Sequence, residues 1–449
     1  MDYSKRSFFR IAAFLTLTST PLTVLGQGQE AKAPKEPERN SRYVTEQPEA
    51  NGFALEMHSA ASYDDNILGD NAHRIRDYVF EEGGRLSLWT RKPGWRLGLD
   101  YRPNALIYKT ASSFNQLDQR LDFDNEFHAG RHLVFRLKDS LDYATGVLEP
   151  QTNGNVSLPV GSGSSLNNTI ITPFARQFGN DASGEIEYQV SLRSSFDFSG
   201  GHGFRRFKDI GNPNPSFATS LFNTQSDTGS GSYNYRMTKH LTTGLEYRFE
   251  NFRFSQLFHT KTQGGYLKLL WEASPNVLFS IYGGAENADS TGQFLVPSTN
   301  PLQPGNVTVT LTTQHWSPGG GGSVTFRSNQ TVFRLTGQRL VADGGGLLAG
   351  VTNSYEGGEI RQRMAGRWDV ILTASNARSV ALQGPNGKGA VDTQTAGMVI
   401  EYPMARNLSL HAGYDYLRQR TNQFVPFALN ADRNRFTLGI FYRTRDFLF

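Results

Sequence analysis

The chain contains no cysteine. That absence excludes a disulfide framework, thiol catalysis and any thiolate metal site. Long apolar runs are also missing beyond the N-terminal region, and the mean hydropathy is −0.47, so no helical membrane span is expected. Excess charge of one sign is missing too. Lys and Arg number 45 against 41 Asp and Glu, and a formal net charge of +4 over 449 residues leaves no basic stripe for nucleic acid. Low mean hydropathy does not exclude a protein that crosses a membrane with strands, because a transmembrane strand is apolar on one face only. What the chain does have is glycine, 46 residues, and phenylalanine, 31 residues, with 12% aromatics in all. That aromatic content suits interfacial girdles and an ordinary β-core equally.

The hairpin at 229–254 shows the unit from which the chain is built. Tyr233, Tyr235 and Met237 alternate with Ser232, Asn234 and Arg236. After a Thr-Lys-His turn, Leu241, Thr243, Leu245, Tyr247 and Phe249 alternate with Thr242, Gly244, Glu246, Arg248 and Glu250. A period of two is the strand period, since successive Cβ atoms point to opposite faces. Arms of about ten residues can cross a bilayer core at a tilt of ~45°. A soluble sandwich would hide the apolar face under a second sheet. A membrane barrel turns it to lipid and turns the polar face to an aqueous lumen.

At the N-terminus Lys5, Arg6 and Arg10 precede an apolar run at 11–25 that contains Pro21 and ends near Gly26. This reads as an export signal peptide over 1–26, since the run is too short and too interrupted for an anchor helix. Residues 27–52 are rich in Glu, Lys, Pro and Gln and read as a flexible periplasmic leader. Residues 53–449 read as the barrel.

Alternation returns along the whole remainder, as in Trp95, Leu97, Leu99 and Tyr101 against Arg96, Gly98, Asp100 and Arg102. The connections sort by length. Tight ones fall at 92–94, 130–132, 191–194, 238–240, 274–276, 328–330, 366–367 and 405–407. Longer polar ones fall between them at 109–116, 146–181, 208–220, 289–310, 381–390 and 421–431. A sandwich or propeller has no reason to sort its loops this way. An outer-membrane barrel does, with short periplasmic turns and long extracellular loops. The expected fold is therefore an all-β, transmembrane, antiparallel up-and-down barrel of about 18 strands, with 16 as the alternative. At a strand spacing of ~4.8 Å and a tilt of ~40° such a barrel is roughly 35 Å across and wide enough to hold water.

The last residue is Phe449, and here the chain resembles Gram-negative outer-membrane barrels, which end in Phe as a signal to their assembly machinery. Phe447 and Phe441 fit the alternate apolar register, whereas Arg445 and Arg443 fall in it as well. Either a bulge shifts the register, or the strand ends near Arg443 and a short tail follows. Ser62-Tyr63-Asp64-Asp65-Asn66-Ile67, with Leu99 to Pro103, Tyr108 and Asp139 to Tyr143, resembles the OmpL-like family of β-barrel porins, whose members are often linked to polysaccharide-export loci. The resemblance covers the first third of the chain by residues and the rest by pattern. It implies a barrel in contact with outer-membrane lipid and lipopolysaccharide, and periplasmic polysaccharide-export proteins as partners.

The lumen face carries the candidate chemistry. Arg120, Asp122, Asp124 and Glu126 share one face, flanked by Arg96, Asp100 and Arg102 on one side and Arg136 and Lys138 on the other, with Glu246 and Arg248 in the later hairpin. Rows of opposite charge around water set up a field that selects solutes by charge and polarity. The alternative is a cross-strand ion-pair ladder that holds the sheet. The 146–181 connection resembles, by position and length, the third loop that enters the lumen of general porins; otherwise it is a mobile external loop. Asp64-Asp65-Asn66 offers oxygen ligands for Ca²⁺ or, alternatively, an Asx-type polar turn. The glycines at 319–322 lack the Lys-Ser/Thr of a phosphate loop and read as a tightly packed wall. No spacing brings His315, Ser317 and an acid together, so no enzyme and no cofactor are expected. The leading expectation is a passive outer-membrane channel for small polar solutes. The alternatives are a barrel component of exopolysaccharide export or assembly, an adhesive or structural barrel, and a lipid-modifying or proteolytic barrel.

Overall fold

The alternation in the sequence becomes a register. Leu99 stands opposite Phe123 and Tyr101 opposite Leu121 on one face, while Arg96 stands opposite Glu126 and Arg102 opposite Arg120 on the other. The computed structural model describes residues 51–145, 170, 176–208, 221–255, 258–297, 306–364, 367–383, 388–425, 430–444 and 447–448. The expected signal peptide and all but the end of the expected leader lie outside these residues, as does Phe449.

The strands run in chain order: β1 (Gly52–Asp64), β2 (Asp77–Lys92), β3 (Trp95–Tyr108), β4 (Gln116–Ala129), β5 (Leu133–Thr145), β6 (Arg176–Gln189), β7 (Ser194–Lys208), β8 (Thr224–Arg236) and β9 (Leu241–Phe254). They continue as β10 (Phe258–Ser274), β11 (Val277–Pro297), β12 (Asn306–Arg327), β13 (Thr331–Ala342), β14 (Val351–Met364), β15 (Trp368–Ala381), β16 (Ala390–Ala405), β17 (Leu408–Thr421) and β18 (Ala431–Arg443), with a short β19 (Phe447–Leu448). β1 to β18 pair antiparallel with their sequence neighbours, β1 also pairs with β18, which closes an 18-strand barrel, and β19 adds a short pairing to β1. Closure pairs the strands around the body of the wall, the condition for crossing lipid with strands. The β11–β12 hairpin continues beyond its neighbours, with β12 pairing β13 only from Gly320 and β11 pairing β10 only to Thr291. Among the described residues the one helical element is a 3-10 turn at Ser112–Phe114.

The outward registers carry the exposed apolar side chains, among them Leu245, Leu267, Ile281, Leu335 and Leu438. At the short-turn end Trp271 stacks on Phe279 at 5.3 Å and Trp368 meets Tyr402 at 4.6 Å, forming part of an aromatic girdle. β18 ends at Arg443, and a short β19 follows it along β1 in a different register. β1 pairs Glu56 with Arg443 but Phe53 with Phe447, a shift of one residue, and the Phe53 and Phe447 rings stack at 4.6 Å. Thr444 spans the shift, its N–H donating to the Leu55 carbonyl and its Oγ1 accepting from the Leu55 N–H.

Some of the glycine content has a packing reason. The Tyr266 and Tyr355 rings lie along the inner wall over glycines. A Cβ at Gly264 would stand 2.8 Å from the Tyr266 hydroxyl, and one at Gly357 would strike the Tyr355 ring. A Cβ at Gly284 would collide with the Gly265 carbonyl oxygen, whereas Gly265 itself faces open space. Gly284→Ala is therefore expected to destabilise the barrel by about 1–3 kcal/mol through overpacking. Gly265→Ala should be silent; the folded fraction on semi-native gels, read against temperature, separates the two.

Two expected connections are shorter than the sequence implies. Residues 176–181 belong to β6, and 289–297 and 306–310 belong to β11 and β12, which form the longest hairpin. Gly179, Gly292 and the prolines at 297, 301 and 304 break up the period-two signal into runs too short to read as strand, while the backbone ladder continues. The β9–β10 connection is also short, from Phe254 to Phe258, although it lies at the end where the other connections are long.

Candidate functional site

The inner-face residues read from the sequence do share one face, and most are paired. Arg85 Nε donates to Asp100 Oδ1 at 2.5 Å, and Ser87 Oγ donates to the same oxygen at 2.6 Å. Arg120 Nε donates to both oxygens of Asp122 at 3.0 Å, Ser140 Oγ adds a bond of 2.7 Å, and Arg102 lies 3.7 Å from Asp122. Arg136 is a hub, reaching Glu126 at 3.0 Å, Glu185 at 3.2 Å and Glu187 at 2.9 Å, while Arg96 lies 3.7 Å from Glu126. Asp124 stands opposite Lys138 in the register. Glu246 and Arg248 form a separate group on β9, where Glu246 takes Arg248 at 2.5 Å and Lys268 at 2.7 Å.

The contacts are thus those of a cross-strand ladder rather than of separated charge rows. The ladder is not sealed. The side chains of Arg96, Arg102 and Arg120 remain 40%, 36% and 51% exposed, which leaves cationic surface facing the interior. Exposed pairs of this kind contribute little stability individually, so what they chiefly supply is a charged surface.

A second feature is one the sequence reading did not single out. The connection between β13 and β14 folds inward, and nearly all of 341–350 is buried. Gly344, Gly345, Gly346 and Gly350 have φ of 86, 61, 87 and 75°, a left-handed run that glycine adopts without steric cost. The Gly346 carbonyl accepts the Phe222 N–H at 2.8 Å, and the Gly350 carbonyl accepts the Leu382 N–H at 3.0 Å. A Cβ at Gly346 would stand 2.6 Å from the Phe207 ring on β7, so the tip of the loop reaches wall remote from the strands that carry it.

Leu347 and Leu348 enter a buried cluster with Leu340, Val351, Val391 and Val425. Leu221 and Ile170 join it from the β7–β8 and β5–β6 connections. Burying each leucine is worth about 2 kcal/mol, which holds the loop inside a lumen that would otherwise be wet. Apart from Ile170, residues 146–175 of the expected constricting loop lie outside the described residues.

Asp343 opens this loop. Its Oδ1 accepts the Gly345 N–H at 2.9 Å. Burial pushes its carboxyl above the usual aspartate range, and the Arg205 charge offsets part of that rise. A carboxyl whose folded pKa is raised contributes stability that is complete below the unfolded value and is lost as pH rises through the folded one. The loop should therefore dock more firmly in acid than at neutral pH. Conductance of the wild type is expected to rise from acid to neutral pH, and Asp343→Asn is expected to flatten that rise; an unchanged profile in the variant would count against the assignment.

Asp64-Asp65-Asn66 turns out to be a latch across the closing seam. Asp64 Oδ2 accepts Arg433 Nε at 2.8 Å and Nη2 at 2.5 Å, while its Oδ1 accepts the Asn66 N–H at 2.9 Å. Asp65 accepts the Asn434 N–H at 2.7 Å and its side-chain amide at 2.8 Å. Asn66 donates to the Asp432 carbonyl at 3.0 Å. These oxygens are spent on β18, which gives the polar-turn reading over the Ca²⁺ one. Among the described residues no group of His, Asp or Glu is arranged to hold a metal.

No protein-family model matches the chain, and no curated protein matches it. Solved structures do. Pseudomonas aeruginosa OccK5 (OpdH) is similar at 12% identity and a TM-score of 0.41, over 88% of this chain and 99% of that one. Pseudomonas aeruginosa OccK2 (OpdF), solved in complex with glucuronate, is similar at 9% identity and 0.43, over 88% and 98%. The siderophore receptor PirA from the same organism gives 12% identity and 0.40, over 89% and 81%. Similarity at this level does not carry a solute from those proteins to this one.

Proposed function

We propose that the chain is an outer-membrane channel for the passive passage of small polar solutes. One observation carries the reading: a closed cylinder, apolar outside, whose other face carries the half-exposed Arg96, Arg102 and Arg120. A wall of that kind is of use only to something that passes through it or sits in it. The exterior places the barrel in lipid, and a closed barrel in lipid is the architecture of the Gram-negative outer membrane. Planar-bilayer recording of the purified protein tests this directly; stepwise conductance is expected, and a silent barrel removes the channel role.

Membership of the OmpL-like family is supported by Ser62 to Ile67, which here form the seam latch. Polysaccharide-export partners would follow from that membership. A genomic neighbourhood without glycosyltransferase and export genes would remove them. Recognition by the barrel-assembly machinery is assigned to Phe449, and its deletion is expected to lower the yield of folded barrel in membranes.

A further inference from the structure

One stretch of the inner wall, on β6 and β7, departs from the ion pairing beside it. Asp100, Asp122, Glu126, Glu185 and Glu187 each hold an arginine. Asp181 on β6 and Arg205 on β7 do not share in this: among the described residues neither has an opposite charge within ion-pair distance, and Arg205 Nε is buried without an acceptor. Asp181 is exposed to the interior and stands opposite Gly203, while Arg205 lies two positions further along β7, opposite Gly179. Diagonal neighbours of this kind are ~7–8 Å apart between Cα atoms. The carboxylate and the guanidinium therefore face one space without closing on each other.

Glycine makes that space. A Cβ at Gly203 would collide with Asp181 Oδ1 and stand 2.8 Å from Ser226 Oγ. One at Gly201 would stand 2.8 Å from Thr228 Oγ1, and one at Gly179 would stand 2.5 Å from Asp142 Oδ1. Asp142 thus adds a second carboxylate beside the same floor. Its Oδ2 accepts Gln177 Nε2 at 3.2 Å, and among the described residues it too has no cation within ion-pair distance.

The groups around this floor select by chemistry. An ammonium carries three donors and no acceptor, which suits a position between Asp142 and Asp181. A guanidinium fork matches a carboxylate in two parallel bonds. A solute that carries both groups one carbon apart answers both sides of the site. An anion alone would meet Asp142 and Asp181, and a cation alone would leave Arg205 Nε without an acceptor. We propose that this stretch of wall is a subsite for small zwitterions of the α-amino acid class, with the carboxylate on Arg205 and the ammonium between Asp142 and Asp181. The assignment gives a solute class to the channel proposed above and rests on that reading.

The test uses the full mature chain in neutral liposomes. Entry of L-alanine, lactate, alaninamide and glycerol is measured at low solute concentration, each rate taken relative to glycerol in the same preparation. Alanine is expected to enter several-fold faster than either singly charged analogue. Arg205→Gln should lower alanine to the alaninamide rate, and Asp142→Asn with Asp181→Asn should lower it to the lactate rate. Gly203→Ala keeps every charge but displaces the Asp181 carboxylate, and should lose part of the preference. Equal entry of alanine and its analogues in wild type, or variants that keep the wild-type preference, would overturn the subsite while glycerol entry still supports a channel. Absence of glycerol entry would sink the channel reading instead. Saturation-transfer NMR on the solubilised barrel then reads the site without passage: stronger contact with alanine than with lactate or alaninamide supports it, and equal contact overturns it.

Discussion

Replacing residues 343–350 with Asn-Gly should raise single-channel conductance several-fold. Ala342 and Val351 already face each other at the end of the β13–β14 ladder, so a two-residue turn can join them without moving the register. The replacement removes Leu347 and Leu348 from the apolar cluster, together with the loop tip that reaches Phe207. Ionic current scales with open cross-section, and the loop fills interior space that a two-residue turn would leave to water. Some thermal stability should be lost with the buried leucines, while the outer wall and the seam stay intact. An unchanged conductance in a folded variant would mean that the narrowest passage lies elsewhere, and would shift attention to the β5–β6 connection.

Arg433→Ala should be the most damaging single substitution in the seam. The Asp64 side chain is 1% exposed and that of Arg433 11%, so the substitution leaves a carboxylate buried without its partner. Breaking a buried pair from one side costs about 3–5 kcal/mol. The cost falls where β1 meets β18, the pairing that turns a sheet into a cylinder. Loss of the folded, fast-migrating species at lower temperature on semi-native gels would report it. Replacing both partners, as in Asp64→Leu with Arg433→Met, should recover much of the loss, because no charge is then stranded. A single variant that melts with wild type would show that the latch adds nothing to closure.

The fold was readable in the sequence wherever one face meets lipid and the other water, because only strand parity satisfies both. That is why the strands around Leu99, Leu121 and Leu245 can be placed without coordinates. The strand extensions at 289–297 and 306–310 are missed for another reason: Pro297, Pro301 and Pro304 and the polar residues between them mark a connection, and Val307 and Val309 alternate over too few residues to set a strand boundary within it. Partners are a different matter. Parity puts Arg136 on the inner face, but its bonds to Glu185 and Glu187 depend on which strand follows β5 across a long connection. The Asp64–Arg433 pair joins residues from opposite ends of the barrel sequence, and nothing local foretells it. The inward loop did leave a signal: Leu347-Leu348 is an apolar pair after three successive glycines, set among connections that are otherwise polar.

The absence of cysteine makes the most direct test a clean one, since any introduced thiol is the only one present. Arg120 and Leu121 are adjacent on β4 and point to opposite sides of the wall. In membranes, Arg120→Cys should react with a charged, water-soluble thiol reagent and lower conductance once modified. Leu121→Cys should resist that reagent and react only with a lipid-soluble one. Equal reactivity of the two positions with the water-soluble reagent, or the reverse pattern, would contradict a wall with lipid on one side and water on the other.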